Sequence, residues 1–185
     1  MKAKNFEKKI KKQKIKSDLL YEGEILDLRI DYFKDQKIIK RREIVTHLPA
    51  VAILPITDTE EIMLVQQYRH GADKILIEIP AGLIEKGEDP IKTAQRELQE
   101  EIFKFPKNLT FLFSFYPTAG FCDEFVYLYL AKDLIDSELK PDYDEEIDIL
   151  TISIDKCIKM IETGEIEDAK TILAIYYYLS LKRKK

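Results

Sequence analysis

Apolar and polar positions alternate along residues 26–33, "LDLRIDYF", and this period of two predicts a strand. Beyond the turn "KDQ", residues 37–47, "KIIKRREIVTH", form a second extended run. The residue runs "AVAILPI" (50–56) and "EIMLVQQYR" (61–69), separated by the turn-like "TDTE", read as a hairpin with one well-buried strand. "ILIEIPAGLIEKGEDP" (75–90) starts as a strand and becomes a loop with two glycines and two prolines. The period then changes. Ile91, Ala94, Leu98 and Ile102 recur at intervals of three and four, which predicts a helix. Asp89 suits its N-cap and Pro90 its first position. "LTFLFSF", "EFVYLYLA" and "IDILTIS" read as strands, the first two joined by the irregular "YPTAGFCD". "IDKCIKMIETG" is a helix closed by Gly164, and residues 167–182 form the last helix. Strands come first, one helix lies in the middle and two at the end, which is an α+β arrangement and not a regular βαβ repeat.

Composition narrows the chemistry. The chain has 185 residues, 45% hydrophobic and 35% charged, the profile of a soluble globular protein. A net charge of only −4 gives no basic field for nucleic acid. No apolar run approaches the ~20 residues of a membrane span. The lysine-rich start, "MKAKNFEKKIKKQKIK", has no apolar signal stretch behind it and reads as a solvated, frayed segment. Cys122 and Cys157 are far apart and lack metal-ligand spacing, which suits a reducing cytoplasm. With only His47 and His70 available, acid–base or metal chemistry must rest on carboxylates.

Those carboxylates are concentrated in "GLIEKGEDPIKTAQRELQEEIF", residues 82–103. Glu97 and Glu101 lie one turn apart, with Glu100 beside them, and Glu88 precedes them in the loop. Like charges at these spacings repel by a few tenths of a kcal/mol per pair. A cation changes that balance, and magnesium favours hard oxygen donors while keeping positions for water and phosphate. Arg96 can pair with Glu88 or Glu100 and fix their rotamers. A solvated acidic helix is the alternative for the E-x-x-E-E pattern taken alone.

The pattern is not alone. Gly82, five residues, Glu88, seven residues, then Arg96, Glu97, Leu98, Glu100 and Glu101 resemble the box of Nudix hydrolases, G-x5-E-x7-R-E-U-x-E-E-x-G-U, U being a bulky aliphatic. Phe103 stands where that box has glycine and Lys104 where it has an aliphatic, which leaves the helix exit open; Pro106 is one candidate to end it. "EIPAGLIEKGE", "FSFYPTAGFCDE" with Pro117, and "GEIEDAKTILAI" resemble the ADP-ribose pyrophosphatase branch.

This resemblance implies a mixed sheet sandwiched between helices over residues 48–185, with an N-terminal antiparallel strand subdomain at 1–47 that serves a homodimer. It implies Mg²⁺, replaceable by Mn²⁺, held by Ala81, Glu97, Glu100 and Glu101. The implied reaction cleaves the pyrophosphate bond of ADP-ribose to AMP and ribose 5-phosphate. Arg42 and Arg69 fall where similar hydrolases place phosphate- and ribose-side arginines; Pro117 and Glu124 join them as substrate-side positions. Tyr21, Tyr32, Phe33 and Tyr116 are all candidates to stack the adenine. In the acidic loop "PDYDEEIDI", Tyr143 replaces one expected acid and Glu145 matches the other, so Glu145 is the expected base, with Glu146 and Glu100 as alternatives. Hydrolysis of other nucleoside diphosphate sugars, or ligand binding without catalysis, remains open at this point.

Overall fold

The computed structural model describes residues 2–139 and 147–183, which gather into two compact units. The first unit holds α1 (Lys2–Gln13) and strands β1 (Lys14–Glu22), β2 (Leu26–Asp35) and β3 (Ile38–His47), together with Thr118–Glu124. The second holds β4 (Ala50–Pro55), β5 (Glu61–Arg69), β6 (Lys74–Glu78), β7 (Ala81–Leu83), α2 (Pro90–Glu101), β8 (Lys104–Phe115), β9 (Val126–Asp136), β10 (Asp148–Ser153), α3 (Ile154–Glu162) and α4 (Ala169–Lys182).

In the first unit the alternating runs form an antiparallel sheet in the order β1-β2-β3. Asp31 is buried there and is compensated by Lys14 Nζ at 2.8 Å and the Ser17 hydroxyl at 2.6 Å. Thr118–Glu124 attaches through Val45 N–H to Phe121 O at 2.7 Å and Asp123 N–H to Val45 O at 3.1 Å. The start of the chain corrects the sequence reading. Lys2–Gln13 is a helix rather than a frayed segment, and β1 begins directly behind it. Glu7 and Lys11, one turn apart, pair at 2.6 Å on its surface, a spacing that supports helix.

In the second unit, "AVAILP" is apolar at every position because β4 is covered on both faces. Ala50, Ala52 and Leu54 point to one core with Ile62 and Leu64 of β5, and α3 and α4 close that side with Cys157, Met160, Ala174 and Ile175. Val51 and Ile53 point the other way, toward Met63 and Val65, where α2 docks with Ala94, Leu98 and Ile102. This is the expected α/β/α layering, and the sheet order β7-β4-β9-β8 is mixed, since β4 runs parallel to β9 and antiparallel to β7.

The expected β4–β5 hairpin is not a paired one. β5 lies in a second sheet, β10-β5-β6, and the bridge Ile56–Ile62 joins the two runs at their turn. A strand buried on both faces needs a ladder on each side, and β7 and β9 supply both for β4.

Helix α2 begins as its sequence dictates: the Asp89 carboxylate accepts the Ile91 N–H at 2.8 Å, with Pro90 at the first position. Ile91 does not belong to its buried stripe, being exposed. Thr93, Ala94, Glu97, Leu98 and Glu101 are buried instead, so the packed face is rotated toward the carboxylates.

The helix exit replaces the missing glycine directly. Ile102 is the C-cap and Phe103 itself takes φ 57°, the left-handed conformation that a glycine adopts without strain. Pro106 therefore does not end the helix; it lies in the edge strand β8, where a missing N–H is tolerated. Phe103→Gly is expected to be more stable than Phe103→Ala by about 1 kcal/mol, because both lose the ring and only alanine keeps the strain. Urea unfolding of the two variants checks this, and an equal or reversed order would remove the strain argument.

Candidate active site

The buried carboxylates of α2 meet β7. The Ala81 N–H donates to Glu101 Oε2 at 3.2 Å. Gly82, the next residue, has no side chain, and a Cβ built there would stand 1.9 Å from Glu97 Oε1. The Glu97 carboxylate thus occupies the space that a side chain on β7 would take. This gives the box glycine a steric reason rather than a conformational one.

Arg96 offsets part of the charge of the cluster. Its guanidinium lies 2.8 Å from Glu97 Oε1, donates to Glu100 Oε2 at 2.7 Å and to both oxygens of Glu88 at 3.3 Å, and reaches the Leu83 carbonyl at 3.3 Å. Burial alone would lower the Arg96 pKa, but these carboxylates outweigh it and keep the guanidinium charged. Burial likewise pushes the Glu88 carboxyl up, and hydrogen bonds from Arg96, Thr93 and the Glu85 backbone together with the Arg96 charge outweigh this and hold it below the usual range. The loop itself folds back on short contacts: Glu88 N–H to Glu85 O at 2.9 Å and Glu85 N–H to Glu88 Oε2 at 3.3 Å, with Gly87 at φ 86°.

The donor set suits a hard divalent cation: Glu97 and Glu101 carboxylates held against Ala81 and Gly82, with Glu100 on the same helix. Among the described residues no three His, Cys, Asp or Glu side chains converge as a finished ligand cage, and Arg96 takes up part of the carboxylate charge.

Arg69 projects from the end of β5, and Glu78 grips it with both oxygens, at 2.8 Å to Nε and 2.8 Å to Nη2. Glu78 is fully buried and also contacts Lys170. Burial pushes the Glu78 carboxyl up, but the two cations prevail and hold it below the usual range. A fork gripped on one edge has a fixed direction. Pro117 lies exposed just beyond β8. Tyr116 beside it is exposed and packs on Phe125 at 4.8 Å between ring centres.

In the first unit, Arg42 lines a cavity of about 560 Å³ with Leu28, Arg41, Glu43, Val45 and Phe121. Glu124 is partly exposed, its N–H against Cys122 Sγ at 3.4 Å. Arg41 and Lys16 lie over the Tyr32 ring at 6.0 and 5.5 Å. Glu145 and Glu146 lie outside the described residues.

Reading the sequence did not single out Glu78, Asp168, Lys170 or Thr171. An acid between apolar neighbours in "ILIEIP" was the one available signal, since a buried carboxylate demands partners.

Comparison with known proteins agrees with this geometry. The NUDIX domain family model matches residues 46–174. An ADP-ribose pyrophosphatase of Bacillus subtilis is 38% identical over 95% of this chain and 96% of its own length. A methanol dehydrogenase activator of Bacillus methanolicus is 39% identical over 88% and 90%. The crystal structure of an ADP compounds hydrolase superposes with a TM-score of 0.83 at 20% identity, covering 92% of this chain and 94% of that one, and so shares the fold. With the acidic helix, the Gly82 cradle and the box spacing in place, the chain belongs to the Nudix hydrolases, in their nucleoside diphosphate sugar pyrophosphatase group.

Proposed function

We propose that this Nudix pyrophosphatase hydrolyses ADP-ribose to AMP and ribose 5-phosphate with Mg²⁺, or Mn²⁺ in its place. The observation that carries the proposal is the seating of the Glu97 and Glu101 carboxylates on Ala81 and Gly82, with Arg96 locking Glu88 and Glu100 beside them. Similarity to the Bacillus subtilis ADP-ribose pyrophosphatase supports the substrate. Glu97, Glu100, Glu101 and the Ala81 backbone carbonyl would hold the cation. When bound, it neutralises charge on the pyrophosphate and makes a nearby water easier to deprotonate.

The chain's own residues do the rest. Arg96 offsets part of the acidic charge and orients Glu88 and Glu100. Arg69, aimed by Glu78, and Arg42 bind phosphate and ribose oxygens, with Pro117 and Glu124 on the substrate side. Glu145 takes the proton from the attacking water. Support for that loop comes from its ends. The Leu139 N–H bonds the Gln99 carbonyl of α2 at 3.2 Å, and Ile147 packs on the core that seats α2. The proposal includes a homodimer, since β1 is an edge strand with Leu19, Leu20 and Tyr21 exposed. It also includes a cytoplasmic setting, in keeping with two free cysteines. Among the described residues no helix is long and apolar enough to cross a membrane.

Hydrolysis of other nucleoside diphosphate sugars is the second substrate reading. Product release should therefore be measured over a panel of nucleoside diphosphate sugars and dinucleotides, with Mg²⁺, with Mn²⁺ and in excess chelator. ADP-ribose is expected to be the best substrate, and chelator is expected to abolish turnover. Undiminished turnover in chelator would sink the metal role. Preference for another compound would move the substrate, and metal-dependent binding without turnover would favour a ligand-binding protein.

A further inference from the structure

One buried backbone group has to be accounted for where the chain changes sheets. β6 ends at Glu78 in the sheet with β5, and β7 begins at Ala81 in the sheet with β4. Ile79 and Pro80 make the crossing, and Ile79 is fully buried. A buried N–H left bare in such a crossing costs as much as a lost hydrogen bond. Each step of the crossing has a partner from a different element. Thr171 of α4 accepts the Ile79 N–H through its hydroxyl at 2.8 Å. Ile53 of β4 donates to the Pro80 carbonyl at 2.8 Å. Glu101 of α2 takes the Ala81 N–H.

The Thr171 hydroxyl is itself directed. It donates to Asp168 Oδ2 at 2.6 Å, which fixes its lone pairs toward Ile79. The same carboxylate caps α4 by accepting the Thr171 N–H at 2.9 Å, and its other oxygen accepts from Lys170 at 3.0 Å. Thr171 has no solvent exposure, so water cannot replace it.

We propose that Thr171, oriented by Asp168, is a positioning residue of the acidic site: it sets the Ile79 crossing and thereby the register at which Ala81 and Gly82 receive Glu101 and Glu97. The closing "EDAKT" segment thus acts on the site from the opposite side of the sheet. The inference rests on the reading that Ala81 and these carboxylates hold the cation.

The test compares Thr171→Val, which keeps the branched shape and loses the hydroxyl, with Thr171→Ser, which keeps the hydroxyl. Two readouts are used: amide exchange at Ala81 relative to Ile53 without metal, and the Mn²⁺ dissociation constant from electron paramagnetic resonance. Thr171→Val is expected to speed Ala81 exchange and to weaken Mn²⁺ about tenfold or more, as loss of an outer support typically does. Thr171→Ser should stay close to the parent in both. If Thr171→Val leaves Ala81 exchange unchanged, or Thr171→Ser is as damaging as Thr171→Val, the positioning role is overturned. Should Thr171→Val not fold, Asp168→Asn carries the test. It should speed exchange at Ala81 more than at the amides within α4, and a change confined to α4 overturns the proposal. Mn²⁺ affinity that survives Glu97→Gln and Glu101→Gln would defeat the metal-site reading instead, while metal-free exchange at Ala81 still decides the role of Thr171.

Discussion

Glu101→Gln is expected to lose activity by about a hundredfold or more while stability stays at or slightly above that of the parent. The loss is the size seen when one electrostatic stabiliser of a transition state is removed. The structural argument is that glutamine keeps the shape and keeps an oxygen to accept the Ala81 N–H. It removes only the charge. Glu101 is 3% exposed and stands one turn from Glu97, so its removal also relieves a like-charge contact worth a few tenths of a kcal/mol. Steady-state kinetics with saturating Mg²⁺ and thermal unfolding, made on the same preparation, separate the two effects. A variant that unfolds, or one that works normally, would show that Glu101 serves the fold or nothing essential, and not a cation.

The second large effect is expected at Glu145. Glu145→Gln should lower kcat by about 10²–10⁴-fold with KM little changed, because a base acts on the barrier and not on ground-state binding. Glu146→Gln and Glu100→Gln are the comparison. Glu100 is already engaged by Arg96 at 2.7 Å, so its carboxylate is occupied by the ion pair. Glu146 sits beside Glu145 in the chain and can substitute in part. Measured across pH, Glu145→Gln should remove the acidic limb of the kcat profile. If it stays within about twofold of the parent while another of the three collapses, the base is that residue. If all three are mild, none of Glu145, Glu146 and Glu100 is the essential base.

Much of the acidic helix could be read locally. Asp89, Pro90 and the Ala94, Leu98, Ile102 spacing act within a turn or two, and the structure shows them as cap and stripe. Ile91 fitted the same spacing and is exposed, because periodicity gives the angle of a face but not how far the face is rotated toward its neighbour. Phe103 was legible as an anomaly only. That it adopts the left-handed conformation in person, and does not pass the exit on to Pro106, depends on what receives the helix end. Here Phe103 O accepts Ser137 N–H at 3.1 Å and Gln99 O accepts Leu139 N–H.

By itself the sequence determined the order of the helices and of most strands beyond the first residues, with β7 read as loop, and the clustering of Glu88, Arg96, Glu97, Glu100 and Glu101. Each of these follows from the period of the backbone or from groups a few residues apart. Only the tertiary structure decided that β4 takes β7 and β9 as neighbours in place of β5, that Gly82 leaves room for Glu97, and that Thr171 reaches Ile79. Those contacts join groups up to 92 positions apart. Which buried donor finds which acceptor is settled when both faces of the sheet are covered, since a bare polar group in the core is too costly to leave.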